Sequence, residues 1–296
     1  MQNASRRDFL KTAAAAGCLS LSGGLNADPL GMPVGFQIYG VREEASKDLA
    51  GTLRRVATLG YKRVELCSFP GYANSGFGPL ATMKPADVRK TIEDAGLHSE
   101  SCHFQFREYE AAMIDRSIEY AKGLKLNYMI MSSSREGTRV PDVTMDQWKW
   151  NFDHMNQVGE RVKSAGMQFG YHNHSNEWKT VDGVLVYDVL LRSVDPKLVQ
   201  LQMDLGGTVS SGYDPVKYLE GNPGRFCSLH VKDAKSGQAG TGSLELGQGD
   251  IDWKRLFPAA KVAGIKTYFV EMEVRAPKDP MEALEQSYTY LHQLSV

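Results

Sequence analysis

Eight times between residue 34 and the C-terminal region, a short apolar run gives way to a longer amphipathic one. The apolar runs are 34–40 (VGFQIYG), 61–68 (YKRVELCS), 98–104 (HSESCHF), 127–133 (NYMIMSS), 167–174 (MQFGYHNH), 199–206 (VQLQMDLG), 226–233 (FCSLHVKD) and 266–273 (KTYFVEME). Helical spacing follows from about Ala45 to Leu59, over 85–96, over 108–124 and from Met145 to Ala165. It returns from Val184 to Arg192, near Val216, over 252–264 and over 279–294. Strands alternating with helices indicate a parallel sheet, because each crossover returns the chain to the same end. Eight such units over roughly 250 residues predict a (β/α)8 TIM barrel, a single domain over 28–296. An open doubly wound sheet is the alternative. Against it, no G-x-G-x-x-G follows the first run, and no linker divides the chain.

Before the barrel, residues 1–27 read as a Tat-type export signal. Arg6 and Arg7 precede an Ala-rich apolar stretch, and Leu25-Asn26-Ala27 closes it with small residues. The stretch is too short and too weakly apolar for a stable anchor. The expected location is therefore periplasmic or secreted through the twin-arginine pathway, with no membrane attachment after signal removal. Beyond it, Cys67, Cys102 and Cys227 form no close pair and sit in strand-like runs, which predicts buried thiols. A net charge of −1 leaves no footprint for nucleic acid, so small-molecule partners are expected. Nothing in the pattern specifies an oligomeric state.

Active sites of such barrels are built at the C-terminal ends of the strands. There the fifth to eighth runs place His172 and His174, Gln202 and Asp204, His230 and Lys232, and Glu271 and Glu273. A spacing of two puts both members of each pair on one face of a strand. Imidazoles and carboxylates gathered inside a barrel are costly unless compensated, and a divalent cation compensates them. This donor set suits Mn, Co, Zn, Fe or Ni better than Ca, and Mg less well. One divalent metal ion is therefore the expected cofactor.

GYKRVEL (60–66), YHNHSNEW (171–178), QMDLGG (202–207), LHVKD (229–233), GQGDIDW (247–253) and YFVEME (268–273) carry a resemblance. In order and spacing the chain resembles the xylose isomerase-like TIM barrels, the sugar phosphate isomerase/epimerase superfamily. Ketose 3-epimerases, hydroxypyruvate isomerase, inosose dehydratase and a branch of DNA-repair endonucleases belong to that group. The resemblance implies one metal held by four side chains, with Asp204, His230 and Glu271 in three of the positions. Many members have a Glu-Asn pair on strand five, where this chain has His172-Asn173. His172 is the expected fourth ligand, with Glu177 the other choice on this segment. The exchange removes one of the family's two carboxylate bases. Inosose dehydratase has a related His-rich motif there.

Three functions are thus in view. The first is an exported metal-dependent sugar isomerase or epimerase that abstracts a proton beside a carbonyl and passes through an enediolate. The second is a lyase or dehydratase acting on an oxidised sugar such as a 3-keto-glycoside, and the third is a non-catalytic carbohydrate-binding barrel. Glu271, His174 and Glu177 are the candidates for proton transfer. Glu65, His103, Lys232, Glu273 and Trp178 are candidates to bind the sugar or keto-sugar, with Tyr39 and Phe104 as further aromatic covers. Asp250 or Asp252 is expected to cap the helix at Trp253. No phosphate-binding arginine cluster stands out at the strand ends.

Overall fold

The structure, a computed structural model, describes residues 28–137, 142–238, 243–273 and 278–295. Residues 1–27, which carry the export-signal reading, lie outside the described residues. Eight strands form the barrel: β1 (Gly35–Gln37), β2 (Arg63–Cys67), β3 (Ser101–Phe104), β4 (Tyr128–Met131), β5 (Gln168–His172), β6 (Val199–Asp204), β7 (Phe226–Val231) and β8 (Thr267–Val270). Each pairs in parallel with its neighbours in sequence, and β8 closes onto β1. Closure leaves no strand edge unpaired. Among the described residues, no helix is long and apolar enough to cross a membrane.

Helices cover the outside much as the periodicity predicts, with three differences. The first predicted helix breaks at Asp48 into Arg42–Lys47 and Leu49–Leu59, because Oδ1 of Asp48 takes the Gly51 N–H at 2.8 Å and starts a new helix there. The helix expected over 108–124 shortens to Ile114–Leu124, behind a 3-10 turn at Phe106–Tyr109. At 184 the chain first makes a small hairpin, Thr180–Val181 with Val184–Leu185. Asp182 and Gly183 turn it with φ of 51° and 77°, the left-handed pair that a two-residue turn needs.

Register then decides what fills the barrel. Residues opposite each other in a parallel pair share a face. Gln37 lies opposite Glu65, Cys67 opposite His103, His172 opposite Gln202, Gln202 opposite Ser228, Asp204 opposite His230, and His230 opposite Phe269. Their apolar neighbours Val64, Leu66, Tyr171, Met203, Leu229 and Val270 alternate outward, beneath the helices, and all are buried. The barrel interior near its C-terminal end is therefore a polar layer, and apolar burial comes largely from the space between barrel and helices. Gly170, two residues before His172, lies on the interior face, where a Cβ would lie 2.4 Å from Cδ1 of Ile130 on β4. Cys67, Cys102 and Cys227 are buried free thiols.

Candidate active site

β6 ends on Asp204, and the chain turns at once into a short helix, Leu205–Ser210. Asp204 caps that helix: Oδ1 accepts the Gly207 N–H at 3.0 Å, which leaves Oδ2 facing the barrel axis. Asn173, just past β5, accepts the Asp204 N–H at 3.2 Å and ties the two strand ends together. Lys232, one residue beyond β7, reaches across with Nζ 3.0 Å from Oδ2 of Asp204 and 2.8 Å from Oε2 of Glu271. Its stem passes over Gly206, where a Cβ would sit 2.7 Å from Cγ of Lys232.

Beneath these groups lies a second layer. His230 places Nδ1 3.0 Å from Oε2 of Glu271 and Nε2 2.5 Å from Oε2 of Glu65. The imidazoles of His103, His172 and His230 crowd together, with ring centroids 4.4 to 4.9 Å apart. Gln202 joins His103 and His172 to Glu65 through three hydrogen bonds and makes a fourth to Ser228.

The charges are already compensated from within, whereas the sequence alone points to a divalent cation as the compensation. Burial opposes a charge on His230, yet Glu271 and Glu65 together raise its pKa to about 10. Burial likewise opposes the Lys232 ammonium, and Asp204 and Glu271 outweigh it. Against burial, Lys232 and His230 hold the Glu271 carboxyl well below its usual range, and His103 and His230 do the same for Glu65. His172 goes the other way: burial first, then the neighbouring histidines, keep it neutral.

The other predicted residues divide. Tyr39, His103, His172, His174, Glu271 and Glu273 line a cleft of about 760 Å³ at the barrel mouth. Its far wall carries Gln105, Arg107, Ser132 to Ser134 and Arg135. Two arginines thus reach the mouth from the loops after β3 and β4, although no arginine cluster stands out at the strand ends in the sequence. The ring of His174 packs edge-on against His172, and its Nδ1 is buried with no hydrogen-bond partner among the described residues. Burial lowers its pKa.

Four placements differ from the sequence reading. Glu177 is buried away from the cleft lining, where it accepts the Tyr171 hydroxyl and the His174 N–H, so it supports His174. Trp178 is 3 % exposed and stacks on Tyr187 at 4.0 Å, inside an aromatic cluster rather than over a sugar face. Phe104 is fully buried. Glu65 is fully buried too and ringed by protein donors, which leaves it no route to a substrate hydroxyl. Lys232 pairs with Asp204 and Glu271, and more distantly with Glu273. Asp233 pins the loop after β7, accepting from the N–H of Gly247 and from Nε1 of Trp253. Asp252 caps the helix Trp253–Ala263 as expected, and Asp250 holds Lys235 and Ser236.

The donor set fits a divalent cation. His172, Asp204 and Glu271 each offer an atom within 4.8 Å of the others, and His103, His172 and His230 form a second such group that shares His172. Imidazole with carboxylate is the chemistry of a transition-metal site. Two carboxylates already converge on one cation, the Lys232 ammonium. A metal there would take over that charge, and a ligating nitrogen of His230 would have to give up its proton.

Comparison with known proteins agrees with this architecture. Residues 53–294 match the model of the xylose isomerase-like TIM barrel family. An inosose dehydratase of Lacticaseibacillus casei is 28 % identical over 255 residues, covering 74 % of this chain and 83 % of that protein. The inosose dehydratase of Geobacillus thermodenitrificans is 30 % identical over 157 residues, a match spanning 47 % of this chain and only 50 % of its relative. Among solved structures, a sugar phosphate isomerase/epimerase from Parabacteroides distasonis aligns with a TM-score of 0.70 at 29 % identity, over 88 % of this chain and 93 % of that one.

Proposed function

We propose, for a chain that belongs to the xylose isomerase-like TIM barrel family, a divalent-metal-dependent dehydratase or lyase acting on a polyhydroxy ketone. Keto-sugars, 3-keto-glycosides and keto-cyclitols are the substrate class. The observation that carries this is the makeup of the site. Beside the convergent His172, Asp204 and Glu271 stand an imidazole, His174, whose Nδ1 has no hydrogen-bond partner among the described residues, and a buried ammonium, Lys232. The two relatives described above are inosose dehydratases, which supports elimination over isomerisation.

His172, Asp204, His230 and Glu271 would hold the metal. When bound, it would supply Lewis-acid polarisation of the substrate carbonyl and the adjacent hydroxyl oxygen. His174, on the cleft wall, takes the proton from the carbon beside the carbonyl. Lys232, held against Glu271 of the cleft lining, gives a proton to the hydroxyl leaving from the next carbon. The electron pair of the broken C–H bond becomes the new C=C bond, and water departs. Glu177 and Tyr171 keep His174 in place through its backbone N–H. The polar far wall, with Arg107 and Arg135, receives the rest of the substrate.

A second reading, sugar isomerase or epimerase, is supported by the Parabacteroides protein. It shares the first step and differs in where the proton returns. Incubation with inosose and with 3-keto-glycosides in deuterated water separates the two. A dehydratase releases an unsaturated, ultraviolet-absorbing product or a free aglycone. An isomerase returns solvent-labelled sugar and no unsaturated product, and that outcome would displace the first reading. Export through the twin-arginine pathway rests on Arg6 and Arg7, and cell fractionation of an Arg6→Lys/Arg7→Lys chain tests it.

A further inference from the structure

Two overlapping groups compete for a cation, and both contain His172. The nitrogens that His103 and His172 keep free of a proton bear on which group can take it, and the hydrogen bonds around Gln202 determine those. Start from the backbone: the Tyr39 N–H donates to Oε1 of Gln37 at 2.7 Å, so the Gln37 amide must turn its Nε2 toward Glu65, 3.4 Å away. Ser101 donates to Glu65 as well, so Glu65 accepts. Nε2 of Gln202 then has two acceptors, Oε1 of Glu65 and Oγ of Ser228, each at 2.9 Å. The amide cannot flip without facing its oxygen to a carboxylate. Its Oε1 is therefore left facing Nε2 of His103 at 2.7 Å and Nδ1 of His172 at 2.9 Å. An amide oxygen only accepts, so both imidazoles donate to it.

We propose that Gln202 is a positioning residue for the metal. By accepting the Nδ1–H of His172 it leaves Nε2 as a bare lone pair, aimed at Oδ2 of Asp204 from 3.8 Å. Two acceptors facing each other at that spacing are unfavourable until a cation lies between them. By accepting the Nε2–H of His103 it also withholds that nitrogen from the three-histidine group. Gln202 thus directs the cation to the His172, Asp204 and Glu271 side, next to the cleft, toward which Nδ1 of His230 is also turned beside Glu271. This inference rests on the metal reading given above, and it assigns the role to the amide rather than to any ligand.

The test begins on metal-free protein. Two-bond 1H–15N correlation spectra of histidine-labelled chain report the tautomer directly. Wild type is expected to show His172 protonated at Nδ1. Gln202→Leu is expected to lose that tautomer, and Gln202→Glu, which still offers an acceptor, to keep it. Zn2+ affinity, measured by competition with a chromophoric chelator, should fall roughly 10- to 100-fold in Gln202→Leu, the range for losing a group that orients a ligand. It should change little in His103→Ala. A His172 whose tautomer ignores Gln202→Leu overturns the inference, as does Zn2+ binding that survives Gln202→Leu but is lost in His103→Ala. Wild type that shows the expected tautomer yet takes up no Zn2+ overturns the metal reading instead. Thermal melts of each variant separate these outcomes from loss of the fold.

Discussion

Oε2 of Glu65 lies 2.5 Å from Nε2 of His230, on a carboxylate with no solvent exposure. A carboxylate behind a histidine fixes which ring nitrogen is free and raises its basicity toward a metal. Glu65→Gln keeps the shape and weakens that support. Zn2+ affinity should fall about 10- to 100-fold, while KM at saturating metal stays unchanged. A raised KM with unaltered metal affinity would return Glu65 to the substrate.

Lys232 is the cation that lets Asp204 and Glu271 approach one another without a metal. Removing one partner of a buried ion pair costs about 3–5 kcal/mol, because a charge is left uncompensated. Lys232→Met should therefore melt well below wild type in the presence of a chelator. Saturating Zn2+ should recover most of that loss by placing positive charge between the same carboxylates. If Zn2+ leaves the deficit intact, the cation does not enter there.

Trp178 belongs to the packing, on the evidence of its stack with Tyr187. Truncating a buried aromatic typically costs about 3–5 kcal/mol. Trp178→Ala should lose stability on that scale in urea unfolding, with substrate KM altered less than twofold where the variant remains folded. A large rise in KM without loss of stability would put the indole back at the cleft.

The barrel was legible because its signal is local. Each apolar run announces a strand, and the pairs at 172 and 174, 202 and 204, 230 and 232, and 271 and 273 stand out at the ends of such runs. What those residues do to each other was less so. Glu65 meets His230 across 165 positions, and Gln202 meets Glu65 across 137, contacts that exist only once the barrel closes. No spacing rule marks Gln202 as different from any other strand glutamine. Trp178 misleads for a related reason. It ends a 3-10 turn, Asn176–Trp178, whose direction decides between cleft and core, and that direction depends on Tyr187, Tyr213 and Tyr218 from later helices and loops. Arg107 and Arg135 lie beyond their strand ends, and only the folding of those loops brings them to the mouth.

Glu108 offers a pH-dependent prediction independent of any metal. Burial raises its pKa from 4.5 to about 7, despite hydrogen bonds from Ser68 and from the Gln105 N–H. Between those two values the unfolded chain has released this proton and the folded chain still holds it. Stability therefore falls as pH rises through that window, by up to about 1.4 kcal/mol per pH unit for one group, and levels off above the folded pKa. Glu108→Gln cannot ionise and keeps an acceptor for Ser68. Urea unfolding of both chains between about pH 5 and about pH 8, on either side of the folded pKa of about 7, is the measurement. The gap in favour of the variant should widen toward the alkaline end. Parallel curves would mean that Glu108 is ionised in the folded chain throughout, stabilised by Ser68 and the Gln105 N–H beyond the cost of its burial.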